Sequence, residues 1–147
     1  MIAFSTEVEI SRPLEEVFSY VSRGENNSYW NTTVKQVEKV DGCEDPPKCR
    51  YKMTRELPTG EVVNVYEVVE YEPNRVLAIQ TVSGPDPFTY RYTFDTVNGK
   101  THIKLDGSVE EEEGLPSELP SFLASRVVKR DVDTGFENLK EILELCD

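Results

Sequence analysis

Phe88-Thr89-Tyr90-Arg91-Tyr92-Thr93-Phe94-Asp95 sets an aromatic residue at every second position with a polar residue between. A two-residue period puts all four rings on one face of a strand and gives that strand a large apolar surface to bury. Val97-Asn98-Gly99-Lys100 follows. An Asn-Gly pair between alternating residues predicts a tight hairpin, because both central residues of such a turn take positive φ. Thr101, Ile103, Leu105 and Val109 then alternate with His102, Lys104, Asp106 and Ser108 in the return strand. Strands joined this closely run antiparallel.

The same pattern extends upstream. Val76 to Val82 reads as a strand, preceded by a Pro73-Asn74 turn and by the β-branched and aromatic run Val62 to Tyr71. Pro58-Thr59-Gly60 predicts a further hairpin turn, since proline presets one dihedral and glycine accepts positive φ. Before it, Arg50 to Leu57 carries Tyr51, Met53 and Arg55 on one side. Cys43 and Cys49 flank Glu44-Asp45-Pro46-Pro47-Lys48, a loop because two prolines continue neither regular structure. Val34, Val37 and Val40 leave the period ambiguous, and their β-branched content favours a strand.

At the N-terminal end Phe4, Thr6, Val8 and Ile10 alternate with polar residues as a first strand. Ser11 is placed to cap a short helix whose Leu14, Val17, Phe18 and Val21 share one face, running to about Arg23. Gly24 to Asn31 holds a second short helix or turn that carries the single tryptophan, Trp30, toward the core. At the other end Phe122, Leu123, Val128, Val132, Phe136, Leu139, Ile142 and Leu143 recur at three and four, which predicts an amphipathic helix of about six turns. Gly135 inside it implies a close approach to the sheet or a bend.

These elements give an α+β chain: one strand, short helices, six consecutive strands, then a long helix. A curved antiparallel sheet of about seven strands must wrap that helix to bury its apolar face. With no repeat and no linker, residues 1–147 are expected to form a single domain.

Charge narrows the partners. Sixteen basic and 28 acidic residues give a net charge of −12, which repels nucleic acid and anionic lipid surfaces. No stretch approaches the roughly 20 apolar residues of a membrane span. Met1-Ile2-Ala3-Phe4-Ser5 lacks the features of a secretory leader, so a cytoplasmic protein is expected, with free thiols as the first reading and a Cys43–Cys49 disulfide across the loop as the alternative. The lone His102 leaves the cysteines without the ligands of a zinc site, and Glu110-Glu111-Glu112-Glu113 reads as a solvated loop; no metal and no organic cofactor are expected.

Ile10-Ser11-Arg12-Pro13-Leu14-Glu15-Glu16-Val17-Phe18, Tyr29-Trp30-Asn31, Glu70-Tyr71-Glu72-Pro73-Asn74-Arg75-Val76-Leu77 and Tyr90-Arg91-Tyr92-Thr93-Phe94 before Thr101-His102-Ile103 follow one another along nearly the whole chain. Together they resemble the successive landmarks of the polyketide cyclase/dehydrase and lipid-transport group of START-like (SRPBCC) proteins. The resemblance implies a helix-grip fold with a cavity between the sheet and the C-terminal helix. It also implies one of three roles: carrying lipids, quinones or hormones, cyclising polyketides, or binding other proteins. The long Cys43 to Cys49 loop departs from the group, which commonly has a glycine-rich turn there.

The expected role is to bind or transport a hydrophobic small molecule such as a lipid, quinone or polyketide-like compound. Its lining would come from Met53, Val65, Ile79, Phe88, Tyr90, Tyr92, Ile103 and Phe122, few of them polar, as ligand sites usually are. Tyr51, Tyr90 and Tyr92 offer hydroxyls to a ligand or rings to a filled core, and Arg55 suits a ligand carboxylate or the strand end. The alternative is a cyclase or dehydratase with Glu67 as its catalytic acid or base, provided the odd-numbered face with Val63, Val65 and Val69 points inward. If Val62, Tyr66 and Val68 point inward instead, Glu67 faces out. His102 lies opposite Ile103 and Leu105 and is expected at the surface. Arg126, Lys129 and Arg130 are expected to pair with surface acids. A third reading, a protein-interaction module, calls for an exposed apolar patch.

Overall fold

The computed structural model describes residues 2–40, 48–57, 60–85, 87–110 and 121–145, with only the backbone at residue 57 and residues 121–125. The Pro58-Thr59 turn, the loop after Cys43 and the acidic run after Glu110 lie outside the described residues. The elements are β1 (Ile2–Ile10), α1 (Leu14–Ser22), a 3-10 turn (Gly24–Asn26), α2 (Asn27–Trp30), β2 (Val34–Lys39), β3 (Arg50–Leu57), β4 (Gly60–Glu72), β5 (Val76–Ser83), β6 (Phe88–Val97), β7 (Lys100–Val109) and α3 (Ser121–Leu145). Strands β2 to β7 pair in sequence order and β1 closes beside β7, giving the sheet β1-β7-β6-β5-β4-β3-β2. Every pairing is antiparallel. The helix-grip arrangement expected from the sequence is the one the chain adopts.

Local chemistry accounts for the turns. Asn98 and Gly99 have φ of 52° and 79°, the two positive values that the β6–β7 hairpin requires. Asn74, at φ 63°, turns β4 into β5.

The phase of β4 was undecided by its valines on both faces, and the structure puts the even-numbered face inward. Val62, Asn64, Tyr66 and Val68 are buried, whereas Val63 and Val69 are 41% and 45% exposed. Glu67 stands opposite Arg50 of β3 on the outer face, and Arg50 Nε donates to its carboxylate at 2.9 Å. In β2 a register shift between Val34 and Gln36 turns Val34 and Val37 to the same side, which is why that strand mimics a helical period.

Two expectations about α1 and α3 change. Ser11 makes no cap; Pro13 takes the N-cap position, and the Ser11 amide donates to Glu144 of α3 at 2.8 Å. Helix α3 has 25 residues, about seven turns, and Gly135 approaches α2 rather than the sheet, since a Cβ there would sit 3.4 Å from the Trp30 carbonyl oxygen. Asn138 Nδ2 donates to that same oxygen at 3.3 Å. Cys49, 1% exposed, is disulfide-bonded, which corrects the expectation of free thiols; Cys43 and Cys146 lie outside the described residues.

Helix α3 lays Phe136, Leu139 and Leu143 into the core, each worth about 1.5–3 kcal/mol when fully buried. It also covers the edge of the sheet. Thr6 of β1 bonds Asp133, and Lys140 Nζ donates to the Glu9 carbonyl at 2.9 Å. An edge strand so occupied is a poor template for another chain. Among the described residues no helix is long and apolar enough to cross a membrane.

Gly24 packs against the stacked Tyr51 and Tyr66 rings, where a Cβ would lie 2.7 Å from Tyr66 Oη and 2.8 Å from Tyr51 Cε1. Denaturant titration should therefore separate two glycines. Gly24→Ala is expected to destabilise by about 1–3 kcal/mol through overpacking, while Gly135→Ala, with only ordinary contact to meet, should gain up to about 1 kcal/mol of helix propensity. Equal effects at the two positions would contradict this packing.

Candidate ligand-binding site

The inner face of the sheet gathers most of the residues that the sequence nominates. Met53, Ile79, Phe88, Tyr92 and Ile103 are buried there, and Tyr90 is partly exposed. Ile79 stands opposite Tyr90 and Phe94 opposite Ile103, so β5, β6 and β7 present one continuous apolar surface. Phe88 and Tyr90 have ring centroids 4.9 Å apart, and Tyr90 and Tyr92 meet edge to face at 6.4 Å. Val65 and Glu67 do not join them. Both follow the odd-numbered register of β4 to the outer face, Val65 opposite the exposed Lys52 and Glu67 on Arg50. The Phe122 side chain lies outside the described residues.

At the Phe88 end the apolar surface meets a fixed cation. Arg55 donates through Nη2 and Nε to Asn64 Oδ1 at 2.6 and 3.2 Å, and through Nη2 to the Pro85 carbonyl at 3.3 Å. Its guanidinium lies 5.6 Å from the Phe88 ring centroid. Asn64, 1% exposed, donates in turn to the Pro85 carbonyl at 2.5 Å. Gly84 makes this arrangement possible. With φ of 108° and a Cβ position only 2.5 Å from the Val63 carbonyl oxygen, no other residue would let the loop lie so close to β4. The planar guanidinium is thus held at several points, a geometry suited to carboxylate or carbonyl oxygens.

Tyr90 lies beside this cation, its ring against Phe88 and Phe4. Burial pushes its phenol up to about 12, with Arg55 pulling downward and Asp131 of α3 pushing upward. Asp131 has a carboxyl raised by burial, with Arg130 opposing. Burial also raises Tyr92 well above the ordinary phenol range, and Tyr51 more mildly.

His102 lies on the outer face beside Glu7, as expected, with Nε2 at 3.3 Å from its carboxylate. Of the three α3 cations expected to pair with surface acids, Lys129 does so, with Asp133 at 3.2 Å. Among the described residues no group of three His, Cys, Asp or Glu side chains is placed to hold a metal. Sequence reasoning missed Asn64 and Asp131. Asn64 had a signal, a lone amide in the run Val62 to Val68, but its meaning depends on the register that brings it beside Arg55.

Comparisons with known proteins agree with this fold. The family model described as "Polyketide cyclase / dehydrase and lipid transport" matches residues 1–144. A START superfamily protein from Mycobacterium smegmatis superposes with a TM-score of 0.83 at 17% identity, covering 99% of each chain. A protein from Thermus thermophilus gives 0.82 at 17% identity, again over 99% of each. An aromatase/cyclase from Streptomyces sp. R1128 gives 0.72 at 13% identity, over 97% of this chain and 93% of that one. At these identities the likeness is one of fold. No curated protein matches the chain.

The Tyr90 phenol supplies a test of its surroundings. Its folded pKa of about 12 stands above the ordinary 10, so the folded chain keeps a proton that the unfolded chain gives up. The stability tied to that proton is intact below about pH 10 and is lost as pH rises toward about 12. Thermal unfolding of the native chain should therefore fall more steeply over that range than unfolding of Tyr90→Phe. Parallel curves would mean that Tyr90 titrates as an exposed phenol.

Proposed function

Because the chain belongs to the polyketide cyclase/dehydrase and lipid-transport family, we propose that it acts as one domain that binds or transports a hydrophobic small molecule between its sheet and α3. The ligand class is a lipid, quinone or polyketide-like compound whose polar end carries a carboxylate or carbonyl oxygen. One observation carries the reading: the apolar inner face ends in an Arg55 that Asn64 and the Pro85 carbonyl hold over the Phe88 ring. An apolar wall with a few convergent polar groups is the usual make-up of a small-molecule site. Met53, Ile79, Tyr92 and Ile103 continue that wall. Phe122 remains a proposed part of the lining.

The binding reading is preferred to a cyclase or dehydratase because the carboxylate nominated for catalysis, Glu67, is engaged with Arg50 on the outer face. The net charge of −12 argues against nucleic acid as a partner.

Native mass spectrometry of the protein from its own cells, followed by thermal-shift screening against fatty acids, quinones and polyketide mimics, tests the proposal. A retained small molecule, or a shift that saturates with concentration, is expected. For a ligand with a carboxylate, Arg55→Met should weaken binding about tenfold or more, the scale of one charge-assisted hydrogen bond, and Glu67→Gln should leave it unchanged. No bound species and no shift across the set would overturn the reading in favour of a protein partner.

A further inference from the structure

Asn64 is an amide set among apolar neighbours. Val62 and Tyr66 flank it on the inner face of β4 and Met53 stands opposite it on β3, all of them buried. Asparagine is disfavoured in strands, and a buried amide costs stability unless it is bonded. Chemistry fixes which way this one points. Arg55 can only donate, so Oδ1 faces it; the Pro85 carbonyl can only accept, so Nδ2 faces that. Among side chains of this length asparagine alone does both, since leucine does neither and an ionised aspartate lacks the donor. The β5–β6 loop is closed onto the amide, for a Cβ at Gly84 would lie 2.9 Å from Asn64 Nδ2.

Stability alone does not ask for the pair, because two hydrogen-bonded partners can be exchanged for apolar groups of the same shape at little cost. We propose that Asn64 is a positioning residue, which holds the Arg55 guanidinium over the Phe88 ring so that the site selects ligands ending in an ionised carboxylate over those ending in a neutral oxygen. This role rests on the reading of Arg55 as the anchor of the ligand's polar end. Two features carry it. Arg55 Nε and Nη2 both donate to one Asn64 oxygen, at 3.2 and 2.6 Å, which fixes the plane of the guanidinium as well as its place. That oxygen is neutral, as is the Pro85 carbonyl that accepts from Nη2 at 3.3 Å, so the groups that orient the cation do not cancel its charge. A bond between two ionised groups is stronger than one to a neutral oxygen, and a cation held by neutral acceptors keeps that preference. An aspartate in the same place would orient the cation and neutralise it.

Dodecanoate and dodecanol share a chain and differ at the polar end, so the ratio of their affinities reads the selection. Calorimetric titration of the native chain is expected to favour dodecanoate about tenfold or more, the scale of a charge-assisted hydrogen bond. In Asn64→Asp the ratio should fall to about one, through loss of dodecanoate binding with dodecanol binding unchanged. An amide with a structural role alone would weaken both ligands together. Equal preference in the native chain, no dodecanoate binding by a chain that binds other members of the screened set, or a ratio that survives in Asn64→Asp overturns the role of Asn64 and leaves the binding reading standing. A native chain that binds nothing in the set removes both. If Asn64→Asp does not fold, the Arg55 Nε–H resonance of the native chain decides. Held by Asn64, that proton should exchange slowly without ligand and shift on adding dodecanoate but not dodecanol; a signal lost to exchange, or moved equally by both, overturns the proposal.

Discussion

Four aromatic rings on one face of β6 have to be taken out of water, and the rest of the molecule is arranged around how each is covered. Phe94 meets Phe18 of α1 at 4.9 Å. Tyr92 faces Phe136 of α3 at 6.4 Å, with Trp30 stacked behind Phe136 at 6.0 Å. Tyr90 meets Phe4 of β1 edge-on at 5.7 Å, and Phe88 lies beneath Arg55. The cover therefore passes from apolar helix to charged side chain along a single strand. That gradient gives the inner face a polar end and an apolar body, the asymmetry that an amphipathic small molecule shares.

Polar groups on the buried side of this sheet are individually answered. Asn64 is joined to Arg55 and to the Pro85 carbonyl, Thr6 is bonded to Asp133, and Thr101 Oγ1 donates to the Arg12 carbonyl at 2.7 Å. The Thr6 and Thr101 bonds join segments 127 and 89 residues apart, so they fix tertiary geometry as well as satisfying a donor. The outer face handles charge differently. Its Arg50–Glu67 and Arg91–Glu70 pairs sit half in solvent, where such contacts contribute little to stability.

How much of this was legible in the sequence depended on whether one face of a strand was unambiguously apolar. In β1, β6 and β7 the alternation is clean, and the inward placement of Phe88, Tyr90, Tyr92 and Ile103 follows from it. In β4 valines lie on both sides, so side-chain character could not choose the phase. The choice is made by neighbours, Arg50 answering Glu67 and Arg55 answering Asn64, and a one-residue slip would exchange the two faces. Val65 was expected in the lining, and the face of Glu67 was left open, for that reason. The bulge in β2 and the use of Ser11 by Glu144 were illegible because both depend on partners remote in the chain. The Arg55–Asn64 pair belongs to the same class of information.

Three bonds tie β1 and the residue that follows it to α3: Thr6 to Asp133, Glu9 to Lys140 and Ser11 to Glu144. Their partners are separated by 127, 131 and 133 residues. During synthesis β1 leaves the ribosome well before α3, and the hairpins between them can form in the interval. The sheet's aromatic face then stays without its long helix until translation of α3 is finished. Such non-local closure is entropically slow, and the waiting face is the sticky one. The feature that seals the finished sheet thus sets the most vulnerable moment in the life of the nascent chain.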